Sequence, residues 1–188
     1  MQKYIGALSI VLLMTVVITR VLLLKKQGIK AMKFGEIDKK DFLIPPFAFF
    51  YFYLVFANAF NLPAVGRQEI FHLEIISWVG VCCCLLGPLL IFWSLVSFKK
   101  SFRIGIDLNV KEELITSGVF AFSRNPMYTS FALVLLGQFL IFPSWIFLGY
   151  LLGALCLFHR QVLLEEDFLK KHYGEKYLEY CKRVRRYI

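Results

Sequence analysis

Two apolar runs meet at Pro143-Ser144. The first holds sixteen mostly apolar residues, Met127 to Phe142, and the second leads away from the pair toward Arg160. So short a turn between two such runs predicts an antiparallel helical hairpin whose far ends emerge on the same side. Both far ends are polar: Ser123-Arg124-Asn125-Pro126-Met127-Tyr128 enters the first arm, and Arg160-Gln161 followed by Glu165-Glu166 leaves the second. Their convergence predicts a site.

The solvent for these runs follows from composition. With 59% hydrophobic residues and 20 Phe in 188, and a mean hydropathy of +0.64, most of the apolar area must face lipid. A spanning helix needs about 20 apolar residues. Tyr4 to Leu24, Phe42 to Leu62 and Leu73 to Phe98 reach that size, and the hairpin adds two more segments, the first of them short. The expectation is an all-α, polytopic integral membrane protein with about five transmembrane helices. No separate soluble domain fits the short connections, so residues 1–188 read as one membrane domain, with two helices in 1–62 and a core in 73–188. The first run is too long for a secretory signal, and no small-residue cleavage pattern follows it.

Basic residues set the expected orientation. Residues 25–41 carry Lys25, Lys26, Lys30, Lys33, Lys39 and Lys40, residues 99–126 carry Lys99, Lys100, Arg103, Lys111 and Arg124, and the tail from Lys170 onward carries seven more. The alternate connections hold only Arg67, and the N-terminus only Lys3. The positive-inside rule then puts the N-terminus outside and the C-terminus and site on the cytoplasmic face. The formal charge of +9 reads as topology plus attraction to anionic headgroups of membrane lipid. Basic residues dispersed along membrane edges argue against nucleic acid. Cys82-Cys83-Cys84 and Cys156 fall in apolar runs, where a thiol packs as a small hydrophobe, and no Cys or His spacing suits a metal.

Depth counting brings the hairpin's polar residues together. At about 1.5 Å per residue, Tyr128 lies roughly 22 Å from the turn, nearly level with Arg160, and Glu165 lies about 7 Å further out. Gln161 and Glu165, four apart, share a helix face. Tyr128, Arg160, Gln161 and Glu165 can thus line one cavity open to lipid and cytosol.

Taken singly, each has a plainer explanation. Arg124 suits a snorkelling residue, Pro126 a helix start, and Tyr128 the aromatic belt. Glu165-Glu166-Asp167 is harder to dismiss on a basic face, although i,i+4 pairing of Glu166 with Lys170 would explain part of it. A carboxylate beside aromatic faces such as Tyr128 and Phe120 suits a cofactor with an amino group and a sulfonium, the latter drawn by cation–π attraction. S-adenosylmethionine has both. Methyl transfer from it is an in-line displacement that asks the protein mainly for alignment and exclusion of water.

Leu114-Ile115-Thr116-Ser117-Gly118-Val119-Phe120, Arg124-Asn125-Pro126-Met127-Tyr128, Gly137-Gln138, Glu165-Glu166 and His172-Tyr173-Gly174-Glu175-Lys176-Tyr177-Leu178-Glu179-Tyr180 together resemble the isoprenylcysteine carboxyl methyltransferase family. Related phospholipid N-methyltransferases share the general pattern. The likeness covers roughly residues 99–188 and leaves out the first two helices. It implies a helical membrane enzyme with S-adenosylmethionine in a cytoplasmic pocket and a lipophilic substrate entering from the bilayer.

Carried over by position, Leu114 and Ile115 resemble the adenosine-contacting segment, with Phe120 where Tyr is usual. Asn125, Pro126, Met127 and Tyr128 resemble the His-Pro-x-Tyr cofactor segment. Glu165, with Glu166 beside it, resembles the carboxylate that meets the cofactor. Gln161 stands where an Arg thought to orient the substrate carboxylate is common, and here Arg160 is its neighbour. Both are expected to act on the acceptor. Arg103 and Asp107, in the linker Ser101 to Asp107, are expected at the substrate entrance, in an interfacial segment or a lid.

Two departures bear on chemistry. Asn125 keeps hydrogen-bonding capacity but removes a titratable ring, and a one-residue shift turns Arg160 about 100° around its helix from the usual Arg position. Rival readings are a phospholipid N-methyltransferase, an NADPH-dependent sterol-type reductase, whose pattern has Pro-Asn-Tyr where this chain has Pro126-Met127-Tyr128, and a non-catalytic scaffold or carrier. The tail from Glu175, with Tyr177, Tyr180, Val184 and Tyr187 near helical spacing, suits a helix lying on the membrane or folding back over the pocket.

Overall fold

A computed structural model describes residues 1–26, 44–63, 69–98 and 114–187. Helices dominate it. In chain order they are α1 (Gln2–Lys26), α2 (Ile44–Ala59), α3 (Glu74–Phe98), α4 (Pro126–Ile141), α5 (Trp145–Tyr173) and α6 (Glu175–Arg183), with a 3-10 turn at Gly118–Ala121 before α4.

By length and composition, three helices can cross a membrane: α1 over Gln2–Leu23, α3 and α5. Two shorter apolar helices accompany them, Pro46–Ala59 within α2, and α4. Leu89 and Phe92 on α3 are 64% and 56% exposed; side chains this apolar on an open surface call for lipid as the solvent. The protein is membrane-embedded and all-α among the described residues.

The closest helix contact lies between α3 and α4, and small residues make it possible. A Cβ on Gly80 would stand 2.7 Å from the Gly137 carbonyl, and one on Gly137 would stand 2.6 Å from the Gly80 carbonyl. The two backbones therefore touch, as membrane helices do where side chains are absent. Seven residues along α3, Gly87 admits Val134 and the Ser130 carbonyl in the same way. Gly80, Val81, Cys84, Gly87, Pro88, Ile91, Ser94 and Leu95 are buried, a stripe repeating every three and four residues.

α1 joins this pair through a polar contact in an apolar surrounding. Gln138 of α4, fully buried, donates from Nε2 to the Gly6 carbonyl at 2.7 Å and to Ser9 Oγ at 3.1 Å. Such bonds hold helices together where lipid offers no alternative partner. Lower down, Val16, Val17 and Val21 of α1 pack with Met127 and Phe131 of α4 around Ile91 and Leu95 of α3. The α2 side of the core is aromatic: Tyr51 lies 5.7 Å from Phe147 and 4.9 Å from Tyr150 of α5.

Helix limits follow local chemistry. Pro126 occupies the first turn of α4, where its missing N–H removes no hydrogen bond. α4 stops at Phe142, whose N–H bonds the Gln138 carbonyl at 2.8 Å, because Pro143 cannot continue it. α2 is shorter than its apolar run, which extends to Leu62. Asn61 turns to φ 56°, and the Leu62 N–H closes on the Ala57 carbonyl at 2.9 Å, a helix-ending bond of the Schellman type. Phe42 and the linker Ser101 to Asp107, with Arg103 and Asp107, lie outside the described residues.

Candidate active site where α4 meets α5

Tyr128 sits in the first turn of α4 and its ring packs 5.7 Å from Phe158 of α5. Its hydroxyl donates to Glu165 Oε1 at 2.6 Å. One turn earlier on α5, Gln161 donates from Nε2 to the same oxygen at 3.2 Å, the i,i+4 geometry expected of the pair. Both bonds fall on Oε1, and Oε2 accepts none among the described residues. The carboxylate is thus held in one orientation by two donors.

The neighbouring acid does something different. Glu166 is 1% exposed and sits at the centre of a second cluster. Oε1 accepts from Asn125 Nδ2 at 3.3 Å and lies 3.4 Å from Arg124 Nη1, and Oε2 accepts from Arg186 Nε at 3.1 Å with Arg186 Nη2 at 3.0 Å. Asn125 Nδ2 also reaches the Arg186 carbonyl at 3.2 Å. The side chain of Asn125 is therefore turned toward the C-terminal segment rather than capping α4.

This segment is a strap. α6 ends at Arg183, Val184 takes extended backbone, and Arg185 pairs with Ser123, the Arg124 N–H bonding the Arg185 carbonyl at 3.0 Å. Tyr187 then meets His159 of α5 at 3.0 Å. α6 itself is anchored by Tyr180, whose hydroxyl donates to the Phe120 carbonyl at 2.6 Å. Arg124 also contacts Cys181.

Electrostatics of the strap follow burial. Burial pushes the Tyr180 phenol up to about 12, with Arg124 acting the other way. Tyr177 is raised well above the ordinary range, first by burial and then by the nearby Glu166 charge. Arg186 is held protonated more firmly than usual by its hydrogen bond to Glu166.

The remaining expected site residues are distributed as follows. Pro126 is fully buried and Met127 packs beside Ile91 and Leu95. Phe120 is buried with its ring 4.6 Å from Phe98. Leu114 and Ile115 are half-buried and lead into the 3-10 turn. Arg160 is exposed, and the polar partner of Tyr128 is Glu165. No group of three or more His, Cys, Asp or Glu side chains suited to a metal occurs among the described residues. An apolar groove of about 390 Å³ lies between α1 and α2, lined by Met14, Ile18, Phe49 and Phe52 among others.

Sequence reasoning named Tyr187 in a tail that could fold back over the pocket, but it did not single out Arg186, His159 or Cys181 as part of this cluster. Only the tyrosine and arginine content of the tail signalled that it folds back.

The fold and the cluster define a helical membrane protein with a polar site at one end of two packed helices. Residues 75–176, more than half of the chain, match the phospholipid methyltransferase family, and the chain belongs to it.

Curated relatives agree in kind. The chain is 26% identical over 122 residues to a protein-S-isoprenylcysteine O-methyltransferase of Tribolium castaneum, covering 63% of this chain and 42% of that protein. It is 31% identical over 129 residues to the Xenopus laevis protein of the same name, covering 66% and 44%. The match to the Schizosaccharomyces pombe protein of that name is 29% over 132 residues, covering 68% and 54%. The chain thus spans about half the length of these relatives. Among solved structures it resembles the eukaryotic intramembrane Ras methyltransferase ICMT (isoprenylcysteine carboxyl methyltransferase), with a TM-score of 0.58 and 18% identity, covering 88% of this chain and 58% of that one. That likeness is one of fold.

Proposed function

We propose that this protein is an S-adenosylmethionine-dependent methyltransferase acting on the carboxylate of a lipophilic acceptor, isoprenoid-like or another small lipid, at the cytoplasmic membrane interface. The observation that carries the reading is the Tyr128–Glu165–Gln161 arrangement, in which a half-buried carboxylate is fixed through one oxygen and has no partner on the other among the described residues.

The donor set fits that cofactor. Glu165 Oε2 suits its ammonium group, and the rings of Tyr128 and Phe158 offer π faces to a sulfonium. Half-buried Leu114 and Ile115 suit an adenosine. When bound, S-adenosylmethionine supplies an electrophilic methyl group that needs no general base against a carboxylate.

The chain's own residues then bind, orient and exclude water. Gln161 and Tyr128 hold Glu165, while Pro126 and Met127 set the start of α4. Asn125 and Glu166 act on the pocket through the strap. Phe120 acts through its carbonyl to Tyr180. Arg160 and Gln161 lie nearest the acceptor, which approaches from the lipid side. The topology that goes with this reading has five membrane segments, α4 and α5 forming a hairpin, the N-terminus outside and the pocket cytoplasmic.

Membranes containing the protein, incubated with S-adenosylmethionine labelled in its methyl group, are expected to transfer label to an alkali-labile lipid ester, and Glu165→Ala is expected to abolish both transfer and cofactor binding. Label in a base-stable amine lipid would favour the phospholipid N-methyltransferase reading, which the family match also supports. Binding of NADPH with no binding of S-adenosylmethionine would overturn both.

A further inference from the structure

Arg20 is a charged residue inside the apolar span of α1, three positions before its end at Leu23. The inward face of α1 is marked by its contacts. Gly6 and Ser9 meet Gln138, Leu13 is buried, and Val16 packs at the Ile91–Leu95 cluster. Positions 6, 9, 13, 16 and 20 succeed one another by three and four, so Arg20 continues that stripe toward α3 and α4.

An arginine near a helix end ordinarily snorkels to water. Here the tilt of helical side chains toward the N-terminus aims it back into the bundle. Its Nε and Nη2 are buried and have no hydrogen-bond partner among the described residues. Unpaired donors of a buried guanidinium are costly, and in a membrane such groups mark sites for an opposite charge.

The orphaned pair also has a shape. Nε and Nη2 form one edge of the guanidinium, the fork that meets two oxygens of a carboxylate or phosphate side by side. Arg20 as a whole is only half-buried, so a swing of its flexible side chain presents that edge to the bilayer. The cluster it adjoins includes Met127, the residue before Tyr128.

We infer that Arg20 is an anion-recognition site, receiving the carboxylate or phosphate headgroup of an amphiphile at the junction of α1, α3 and α4. The inference rests on α1 and its neighbours and does not depend on methyl transfer.

The test uses the full chain in phosphatidylcholine nanodiscs, with thermal midpoints and equilibrium binding measured for oleate, oleoyl lysophosphatidic acid, neutral monooleoylglycerol and inorganic phosphate. Both anionic amphiphiles are expected to bind and to raise the midpoint, with monooleoylglycerol and free phosphate doing neither. Arg20→Met, which keeps the length without the charge, is expected to raise the resting midpoint and weaken anionic binding at least about tenfold. Arg20→Lys, which keeps the charge without the fork, is expected to weaken it less. Undiminished anionic binding by Arg20→Met overturns the inference, as does equal binding of monooleoylglycerol. A shift with free phosphate equal to that with the amphiphiles overturns the amphiphile as occupant. Should Arg20→Met fail to fold, unchanged binding by both Arg20→Lys and Arg20→Gln has the same force.

Discussion

The Tyr128 phenol bonds Glu165 at 2.6 Å although the ring of Tyr128 packs on Phe158, seven positions earlier on α5. The offset follows from helix geometry. Side chains tilt toward the N-terminus of their own helix, so on two helices that run back along each other they lean toward one another. Tyr128 reaches away from the Pro143-Ser144 turn, and Glu165 reaches toward it. A residue judged level by counting along the backbone, such as Arg160, is passed over for one that lies about 7 Å further on.

If that carboxylate holds the cofactor's ammonium group, Glu165→Gln loses a charge-assisted bond of about 1.5–3 kcal/mol, roughly a 10- to 100-fold loss of affinity. Tyr128→Phe removes a single positioning bond, about 1 kcal/mol, and leaves Gln161 in place. Calorimetric titration with S-adenosylmethionine checks the order. Equal affinities for both variants and the unaltered protein would remove Glu165 from the cofactor site.

Glu166 predicts a loss of stability instead. Its carboxylate is buried among Arg124, Asn125 and Arg186, and Glu166→Ala leaves Arg124 buried without its counter-ion, a cost of about 3–5 kcal/mol. Arg186 is 36% exposed in its side chain, so Arg186→Ala is expected to cost only about 1 kcal/mol or less. Thermal unfolding in detergent measures the difference, and limited proteolysis reports release of the strap. Equal midpoints for the two variants would rule out the hub.

The contrast between these neighbouring acids shows what the chain's pattern conveys. Apolar runs located α1 to α5, though not the charged α6: Tyr4 to Leu24 became α1, and Leu73 to Phe98 became α3 to within a residue or two. Periodicity is a local signal and lipid rewards it uniformly. The i,i+4 relation of Gln161 and Glu165 was legible for the same reason. The bonds of Glu166 to residues 41 and 20 positions away depend on how the tail folds back, which no local period encodes. Arg20 did leave a trace, a lone charge in an apolar run, but that its Nε and Nη2 lack a partner among the described residues is a tertiary fact.

The strap should also respond to alkali. The Tyr180 hydroxyl donates to the Phe120 carbonyl, and burial pushes its phenol up to about 12, against about 10 in an unfolded chain. Below about pH 10 the phenol is neutral in both states, and its contribution to docking is complete. As pH rises through about 12 the phenol ionises, faces a carbonyl oxygen, and the contribution is lost. Tyrosinate absorbance with proteolysis of the tail is expected to show the strap releasing over that interval, and Tyr180→Phe is expected to lack the Tyr180 step. Release complete by pH 9 would contradict the assignment.

Gly137 and Gly149 make opposite predictions from the same substitution. A Cβ at Gly137 would meet the Gly80 carbonyl at 2.6 Å, Cys84 Sγ at 2.7 Å and the Cys84 nitrogen at 2.9 Å. Two of these atoms belong to the α3 backbone and cannot turn aside, so Gly137→Ala must push α3 and α4 apart, at about 1–3 kcal/mol. Gly149 of α5 has nothing within 4 Å of its would-be Cβ, and there alanine gains helix propensity, about 0.5–1 kcal/mol. Thermal midpoints are therefore expected to fall for Gly137→Ala and to rise for Gly149→Ala. Because α4 also carries Tyr128, Gly137→Ala is further expected to loosen the Tyr128–Glu165 bond, read as weaker cofactor binding. A fall in midpoint for both variants would mean that glycine serves here as a general property of membrane helices and not as the contact between two backbones.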